Sequence, residues 1–490
     1  GEYYVRLPLR RSATIEHGNA LRIDWQSLIK EEGVYYDYII GNPPFLGKQF
    51  QNSDQKSDME LVFGDIEGAG LLDYVSAWYL LAARYMNHHK IDSKIKTAFV
   101  STNSISQGEQ VSALWKELFA NYGVKIHFAY RTFKWNNEAR GNAAVHVIIV
   151  GFANFDVNEK LIFDNTTADS EKIRTDNINP YLVAGKDNWI PLRKKPICSA
   201  PEMSYGSMAN DGGNLILSDE EKKELISKDP TAEKFIKKFL GSYEFINKID
   251  RWCIWLKDVS PDKYSSVKGI LNRISLVREY RNNSTRQATR KLADFPMLFG
   301  ETRQPQSDYL LVPGVSSENR KYIPIGFLSS EIIASDLART VANATKYHFG
   351  VITSLMHMTW VKYTCGRLKS DYRYSSSLVY NNFPWPENPG DKQKEAVEKA
   401  AQAVLDARAQ FPDSSLADLY DPNTMPPALV KAHQQLDKAV DLCYRPQPFV
   451  NETKRIEYLF ELYDKYTAGL FVEEKKGKKG KKERKVKTDK

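Results

Sequence analysis

Four consecutive residues, Asn42, Pro43, Pro44 and Phe45, have the types and order best suited to chemistry. A side-chain amide oxygen and a proline carbonyl can each accept one N–H from an exocyclic amine. The prolines fix their φ angles near about −65° and hold the carbonyls in set directions, and the Phe45 ring offers a face for stacking. The pattern predicts a clamp for a heterocyclic amine that needs no protein nucleophile. A simple strand-end turn, in which Asn and Pro are common, is the alternative.

The elements around these residues predict an α/β fold. Short apolar strands are predicted at "YDYIIG", "IKTAFVS", "VKIHFAY" and "AAVHVIIVGF", and the first is expected to be buried. Helices are predicted at "LDYVSAWYLLAARYM" and at "VSALWKELFANYG", which Gly123 ends. On the first helix one apolar stripe is expected, formed by Leu72, Val75, Tyr79, Ala82 and Met86. Alternating strands and helices indicate a sheet covered on both faces, with Asn42 at the carboxyl end of a strand, where such sheets bind ligands.

Further along the chain the pattern changes twice. Mixed short segments with many turns occupy about 165 to 390, and two helical stripes follow, one beginning at Val397 and one at Leu429. We therefore predict domains at 1–165, 166–389 and 390–472, followed by a disordered basic tail at 473–490.

Composition indicates an ordinary soluble protein. Of the 490 residues, 42% are hydrophobic and 27% are charged, and no apolar run approaches the roughly 20 residues that a membrane helix needs. No signal peptide is evident, so a cytoplasmic location without membrane contact is expected. The net charge of +8 lies mostly in the tail, which contributes +6. The four cysteines are far apart in sequence, which predicts reduced, mostly buried thiols and no metal site.

The order of motifs resembles that of a known family. "NPPF" fits the [DNS]-P-P-[YFW] motif IV of the N6-adenine DNA methyltransferases, and "HGNALRIDW" resembles motif III, whose acidic residue here is Asp24. "LLDYVSAWYLLAARYM" resembles motif V, "KTAFVSTNSISQGEQ" motif VI, and "FAYRTFKWNNEARGNAAVHVIIVGF" motifs VII and VIII. Together they look like the gamma-class enzymes of the fused type II (IIG/IIL-like) restriction–modification kind. The resemblance implies a class I (Rossmann-like) methyltransferase core, an α+β target-recognition domain and C-terminal helices.

The same resemblance implies a reaction and a donor. S-adenosylmethionine would methylate adenine N6 in double-stranded DNA, with its own adenine contacted by Asp24. The target base must leave the duplex stack, so a ring is needed on each of its faces: Phe45 on one, and Phe133 or Trp135 on the other. The glycine-rich motif I of this class precedes motif III, yet only 23 residues precede Asp24 and the first is Gly1 rather than Met. An upstream segment or separate chain is therefore expected to complete the S-adenosylmethionine site.

Two stretches are predicted to bind DNA. Between 273 and 303 the chain is rich in basic residues, of which Arg278, Arg281, Arg286 and Arg290 are candidates for phosphate contacts. In "GRLKSDYRYS" the candidates are Arg367, Lys369, Asp371, Tyr372 and Arg373. On an extended segment Lys369 and Asp371 would point the same way and could read one G·C pair, the lysine at guanine and the carboxylate at cytosine. Ordinary charged helix faces and an internal salt bridge are the alternatives.

The sequence also admits other functions. The chain could be a non-catalytic DNA-specificity module that needs a separate or upstream methyltransferase segment. A methyltransferase acting on RNA or protein would share the Asn-Pro-Pro chemistry, but would not explain a recognition region of over 200 residues. No strand carries the paired acidic and lysine residues of a restriction nuclease, so no cleavage activity is assigned to these residues.

Overall fold

The computed structural model describes residues 14–29, 31, 34–89, 94–135, 145–164 and 171–468. The chain divides into two compact units, with the boundary in sequence between Trp189 and Ile190. The basic tail and the "NNEARGN" stretch of the motif VIII region lie outside the described residues.

The first unit is built on a six-stranded sheet. Its order is β1-β2-β4-β3-β5-β6. The strands are β1 (Tyr38–Gly41), β2 (Lys96–Thr102), β3 (Lys125–Trp135), β4 (Val145–Ala153), β5 (Lys160–Asp164) and β6 (Glu171–Thr175). The helices are α1 (Ser53–Phe63), α2 (Ser76–His88) and α3 (Gln110–Tyr122). The α/β prediction is confirmed, and the four predicted strands and two predicted helices are present.

Strand directions bring several loops to one edge of this sheet. β1 and β2 are parallel, with Gly41 opposite Phe99. β4 runs antiparallel to both β2 and β3, so β3 points the same way as β1 and β2. The loops that follow β1, β2 and β3 therefore all leave the same edge, and the loop after β1 carries Asn42.

β1 differs from the prediction of a buried strand. It is an edge strand that pairs only with β2 within the described sheet, and the side chains of Tyr38 and Ile40 are 65% and 79% exposed. Apolar composition predicts a strand here, but burial depends on a neighbour on the other side of the strand. An edge strand offers unpaired backbone N–H and C=O groups for further pairing.

Tyr79 joins the layers of the first unit. It is fully buried on α2, and its ring stacks on Phe152 of β4 at 5.1 Å between centroids. Phe99 of β2 and Trp115 of α3 contact it edge-on, and its hydroxyl lies 2.7 Å from that of Ser101. All five residues of the predicted stripe are buried, although α2 begins only at Ser76, after Leu72 and Val75. α3 ends at Gly123, whose φ of 62° suits glycine.

The second unit contains three small sheets, ordered β14-β9-β10-β8, β13-β11-β15-β7 and β12-β17-β16. Their strands are β7 (Met203–Tyr205), β8 (Ile216–Leu217), β9 (Ile236–Leu240), β10 (Trp252–Ile254), β11 (Tyr309–Pro313), β12 (Val315–Ser316), β13 (Gly326–Leu328), β14 (Ile333–Ala334), β15 (Ala338–Ala342), β16 (Gly366–Leu368) and β17 (Asp371–Arg373). This is the mixed pattern that the turn-rich sequence predicts.

Helices flank these sheets and dominate the end of the chain. They are α4 (Asp219–Lys228), α5 (Ser242–Asn247), α6 (Lys268–Asn282), α7 (Gln287–Lys291), α8 (Lys346–Ile352), α9 (Leu355–Thr364), α10 (Asp391–Ala409), α11 (Leu416–Leu419) and α12 (Pro427–Tyr444). A π-helical turn covers Ser376–Tyr380, and a last helix covers 452–468. The apolar stripe of α12, from Leu429 to Val440, is buried as predicted.

All four cysteines are free in the structure, and three of them are buried, as predicted. Within the described ranges no helix has both the length and the apolarity to cross a membrane. The same ranges hold no cluster of His, Cys, Asp and Glu suited to a metal ion.

A buried acid joins α12 to the rest of the second unit. Asp437 accepts the hydroxyl of Tyr322 at 2.6 Å and the backbone N–H of Leu355 at 2.7 Å. Burial raises the pKa of this carboxyl to about 6; the two hydrogen bonds and Lys321 act in the opposite direction, and Asp441 acts in the same one.

This raised pKa predicts a pH-dependent contribution to stability. Because the folded state binds a proton on Asp437 more tightly than the unfolded state does, protonation of this carboxyl stabilises the folded protein. This stabilisation is complete below about pH 4 and is lost as pH rises through 6. Replacing Asp437→Asn removes this titration. The free energy of unfolding of this variant in urea, relative to wild type, should therefore improve by about 1.3 kcal/mol between pH 5 and pH 7. The exposed Asp413→Asn variant serves as control, and an equal change in both variants would contradict the prediction.

Candidate functional site

Asn42 to Phe45 follow β1 directly and leave the edge where the parallel strands end. The Asn42 side chain is exposed and makes no hydrogen bond to any part of the chain that the structure describes. Pro43 is buried and anchors the turn, Pro44 is exposed, and the ring of Phe45 is half-buried. Over the same residues the carbonyl of Pro43 accepts no hydrogen bond either. Two acceptors therefore remain available next to a half-buried ring.

The residues that follow Phe45 fix this turn through hydrogen bonds to residues 72–74. The carbonyl of Leu46 accepts the backbone N–H of Tyr74 at 2.9 Å, and the N–H of Lys48 donates to the Asp73 carboxylate at 3.0 Å. The side chain of Gln51 donates to the carbonyl of Leu72 at 3.2 Å. The acceptors of Asn42 and Pro43 thus sit on a loop that is fixed at its far end.

Asp24 begins a short 3-10 helix and lies in an anchored segment. Its exposed carboxylate accepts the N–H of Gln26 at 3.0 Å and so caps that helix. Upstream, Asn19 and Arg22 donate to Asp58 of α1 at 2.9 and 2.6 Å. Burial alone would raise the pKa of Asp58, but hydrogen bonds from Tyr74, Asn19 and Arg22 hold it below its ordinary value.

The second-ring candidates lie at the same sheet edge as Asn42. Phe133 is half-buried near the carboxyl end of β3, opposite Val147, and Trp135 ends that strand. Between β1 and β3 lie two strands, so the two strand ends are roughly 14 Å apart at the usual spacing. A ring from this region must therefore project towards β1 to face Phe45.

Arg281 is a correction to the DNA-contact prediction. Its side chain is fully buried, on the inner face of α6. Its guanidinium donates to five backbone carbonyls at 2.8–3.0 Å, those of Ala209, Asn210, Leu292, Phe295 and Leu298. Burial lowers the pKa of this guanidinium. Arg281 therefore joins residues 209–210 to residues 292–298 and cannot reach DNA from this position.

The other three candidates near α6 face solvent. Arg278 and Arg286 are exposed, and in the described chain neither guanidinium has an acidic partner. Arg290 is also exposed, but donates to the carbonyls of Ser284 and Thr285 at 2.8 and 3.0 Å. These three cations remain candidates for contacts with phosphate.

The structure corrects the geometry predicted for Lys369 and Asp371. They do not lie on one extended segment: β16 and β17 form a hairpin in which Leu368 pairs with Asp371, and Lys369 and Ser370 make the turn. Lys369 is exposed at the tip of the hairpin. Its backbone φ of 56° is one that residues other than glycine rarely adopt. Asp371 is half-buried at the base of the turn and accepts the N–H of Glu318 at 3.3 Å.

Arg367 and Tyr372 support this hairpin from within. They are cross-strand partners, and the guanidinium carbon of Arg367 lies 4.0 Å from the centre of the Tyr372 ring. Arg367 also donates to the carbonyl of Ser370 at 3.0 Å, which braces the turn. Tyr372 is only 3% exposed, so the prediction that it contacts DNA directly is wrong for this conformation. Arg373 is exposed on β17.

Tyr205 and Arg339 form a cation–π pair that sequence patterns did not indicate, and Arg339 is buried in it. They are cross-strand partners on β7 and β15, and the guanidinium carbon lies 3.9 Å from the ring centre. Arg303 lies 5.8 Å from the same ring, and Tyr205 remains 41% exposed. More than 130 residues separate the pair in sequence, so no local pattern could have linked them.

Comparison with known proteins places three consecutive matches on the chain. Residues 1–164 match the family model "MmeI, DNA-methyltransferase domain", 184–387 match "MmeI, target recognition domain", and 389–471 match "MmeI, C-terminal domain". A curated relative, DNA methyltransferase A of Bacillus subtilis (strain 168), is 43% identical over 463 residues, which cover 94% of this chain.

Among solved structures, the type IIL restriction-modification enzyme MmeI in complex with DNA is 46% identical to this chain, with a TM-score of 0.81. The match covers 95% of this chain and 62% of that enzyme. The chain spans about half the length of the curated relative that it matches.

Replacing Arg281→Met should destabilise the second unit without a direct effect on DNA contacts. Five carbonyls would lose a donor, and two of them, those of Asn210 and Leu298, have no other donor among the described residues, so we expect the free energy of unfolding in urea to fall by roughly 3–5 kcal/mol. Arg278→Met, on the exposed face of the same helix, should cost less than about 0.5 kcal/mol. Equal stability of the two variants would contradict a structural role for Arg281.

Proposed function

This chain belongs to the MmeI family, and on that premise we propose that it takes part in site-specific methylation of adenine N6 in double-stranded DNA. The donor is S-adenosylmethionine, and the setting is a restriction–modification system. The observation that carries the proposal is the free amide of Asn42 beside the Pro43 carbonyl and the Phe45 ring, at the carboxyl end of a strand.

These residues would contribute to the reaction by positioning the target adenine. A flipped adenine stacked on Phe45 would donate its two N6 hydrogens to the Asn42 side-chain oxygen and the Pro43 carbonyl. With both N–H bonds engaged, the nitrogen lone pair is directed away from the acceptors and towards the methyl group. Rate then comes from orientation and from polarisation of the amine. With the donor bound, the sulfonium–methyl bond would break as the N–C bond forms and would leave a neutral thioether. The methylated amine could then lose its proton to solvent, so no base stronger than an amide oxygen is required.

S-adenosylmethionine supplies an electrophilic methyl group on a sulfonium when it is bound. Among the described residues, Asp24 suits one part of it: an exposed carboxylate on an anchored segment can accept the exocyclic amine of the donor's adenine. A second ring, Phe133 or Trp135, would cover the other face of the target base.

The open edge of β1 supports the proposal that a further segment or chain completes the cofactor site. Tyr38 and Ile40 are apolar yet largely exposed there, and the backbone edge can accept another parallel strand. A strand that pairs with β1 would place its own carboxyl end beside Asn42. A glycine-rich loop at that end would lie where the donor is needed.

For target recognition we propose two layers of contacts. Arg278, Arg286 and Arg290 are available for the phosphate backbone, which positions the protein without reading sequence. The β16–β17 hairpin supports base reading, because Lys369 lies at its tip and Asp371 at the base of its turn. Arg367 and Tyr372 act as its internal support, and Arg373 lies exposed beside them.

Asn42→Ala should remove one acceptor from the clamp and lower the kcat/KM of adenine methylation by a hundredfold or more. Asn42→Asp keeps a side-chain acceptor at the same place and serves as the matched control. Both variants are assayed in the full-length gene product, with tritiated S-adenosylmethionine and duplex DNA free of N6-methyladenine. An Asn42→Ala protein as active as wild type would refute the clamp. DNA binding without any methylation by wild type would favour the specificity-module alternative.

Exchanging Lys369→Asp together with Asp371→Lys should change the preferred base at one position of the DNA site, while adenine methylation persists. The donor and the acceptor for base edges swap places, so their preferred partners swap too. Sequencing of methylated sites in a mixed DNA library measures this. Arg278→Ala is the comparison: it should weaken binding to all sequences alike. An unchanged site preference in the double variant would rule out base reading by this hairpin.

A further inference from the structure

Asp73 lies in the turn before α2, and its carboxylate binds two loops at once. One carboxylate oxygen, Oδ1, accepts the backbone N–H of Lys48 at 3.0 Å. The other, Oδ2, accepts the hydroxyl of Ser104 at 2.6 Å. Lys48 belongs to the loop after β1, and Ser104 to the turn after β2. One half-buried side chain therefore joins the loops that follow two neighbouring parallel strands.

Three hydrogen bonds join residues 46–51 to residues 72–74, and only the one to the Asp73 carboxylate involves a charged group. Residues 46–51 also bind residues 72–74 through the Leu46 carbonyl and the Gln51 side chain. Those two bonds are between neutral groups, whereas a hydrogen bond to a carboxylate is roughly twice as strong. Ser104 is itself held by the hydroxyl of Thr102 at 2.7 Å. The carboxylate of Asp73 thus links the loop that carries Asn42 to the turn after β2 through a charged acceptor.

The start of α2 does not need this carboxylate. The backbone carbonyl of Asp73 accepts the Ser76 hydroxyl at 2.6 Å and the Ser76 N–H at 3.0 Å. Its backbone N–H donates to the Gln110 side chain at 2.9 Å. All three bonds use the main chain of Asp73 and survive replacement of its side chain. The side chain is left with the single task of joining the two loops.

We infer that Asp73 is a positioning residue for the clamp formed by Asn42, Pro43 and Phe45. Leu46 follows Phe45 directly, and Lys48 lies two residues further on, so a shift of this loop moves both acceptors and the ring. Misplacement of reacting groups by 1 Å can cost a hundredfold in rate. The inference rests on the proposed function, because it assigns to Asp73 the geometry of the methylation clamp.

The test joins a structural measurement to a kinetic one. In Asp73→Ala the amide hydrogen of Lys48 should exchange with solvent at least about tenfold faster than in wild type, since its charged acceptor is gone. In the full-length gene product, kcat for methyl transfer should fall about tenfold or more, while KM for DNA stays within about twofold. Asp73→Asn keeps an acceptor for Lys48 and should recover most of kcat. Asp65→Asn, exposed and without a described contact, should leave both readouts unchanged.

The outcomes separate this inference from the proposed function. Unchanged exchange at Lys48 in Asp73→Ala would overturn the inference, and so would a loosened loop with normal kcat. If Asp73→Ala does not fold, Ser104→Ala, which removes only one of the two bonds, must still lower kcat for the inference to stand. A wild-type protein without adenine methylation would refute the proposed function and the positioning role together, whatever the exchange at Lys48. Normal methylation by wild type with no response to either variant would refute only the inference.

Discussion

The parallel pairing of β1 with β2 is the constraint on which the candidate site depends. It sets Gly41 opposite Phe99 and sends the loops after both strands out of the same edge of the sheet. β4, antiparallel to its two neighbours, restores that direction in β3. Burial of Tyr79 against Phe152, Phe99 and Trp115 then fixes α2 and α3 to these strands. A loop that carries hydrogen-bond acceptors is useful only where such a frame holds its base still.

That frame also explains why the polar groups near Asn42 fall into two kinds. The carboxylates of Asp58 and Asp73 each accept hydrogen bonds from donors of two segments of the protein. Tyr74, which donates to Asp58, has its pKa raised to about 12 by burial and by that carboxylate, so it stays a donor at neutral pH. The amide of Asn42 lacks such partners among the described residues, because nothing nearby in that part of the chain approaches it. The two acids bind groups within the protein, and the exposed amide is left for a ligand.

Local chemistry made the first unit largely predictable from sequence. Apolar strands, an amphipathic helix and a C-terminal glycine act within a few residues, and the corresponding elements are present. The predictions that were wrong concern residues whose surroundings depend on parts of the chain distant in sequence. β1 has the composition of a buried strand, yet lies at an edge. Arg281 looks like its basic neighbours, but carbonyls from about residues 209 and 295 surround it. The turn at Lys369 went unpredicted, because its positive φ occurs without the glycine that usually marks one.

The arginines of the second unit show how burial decides between structure and recognition. Arg281 and Arg408 are buried, and both use their guanidinium groups on protein oxygens: backbone carbonyls for Arg281, and the Tyr420 hydroxyl and Ile325 carbonyl for Arg408. A guanidinium with its donors used in this way has little left to offer a phosphate. Arg278 and Arg286 are exposed without a described acidic partner, so their charge meets only water, which an anionic surface can replace at small cost. Counting basic residues in a sequence merges these two classes. When the arginines are sorted by burial, fewer candidates for DNA contact remain, and the guanidinium of each remaining one is exposed to solvent.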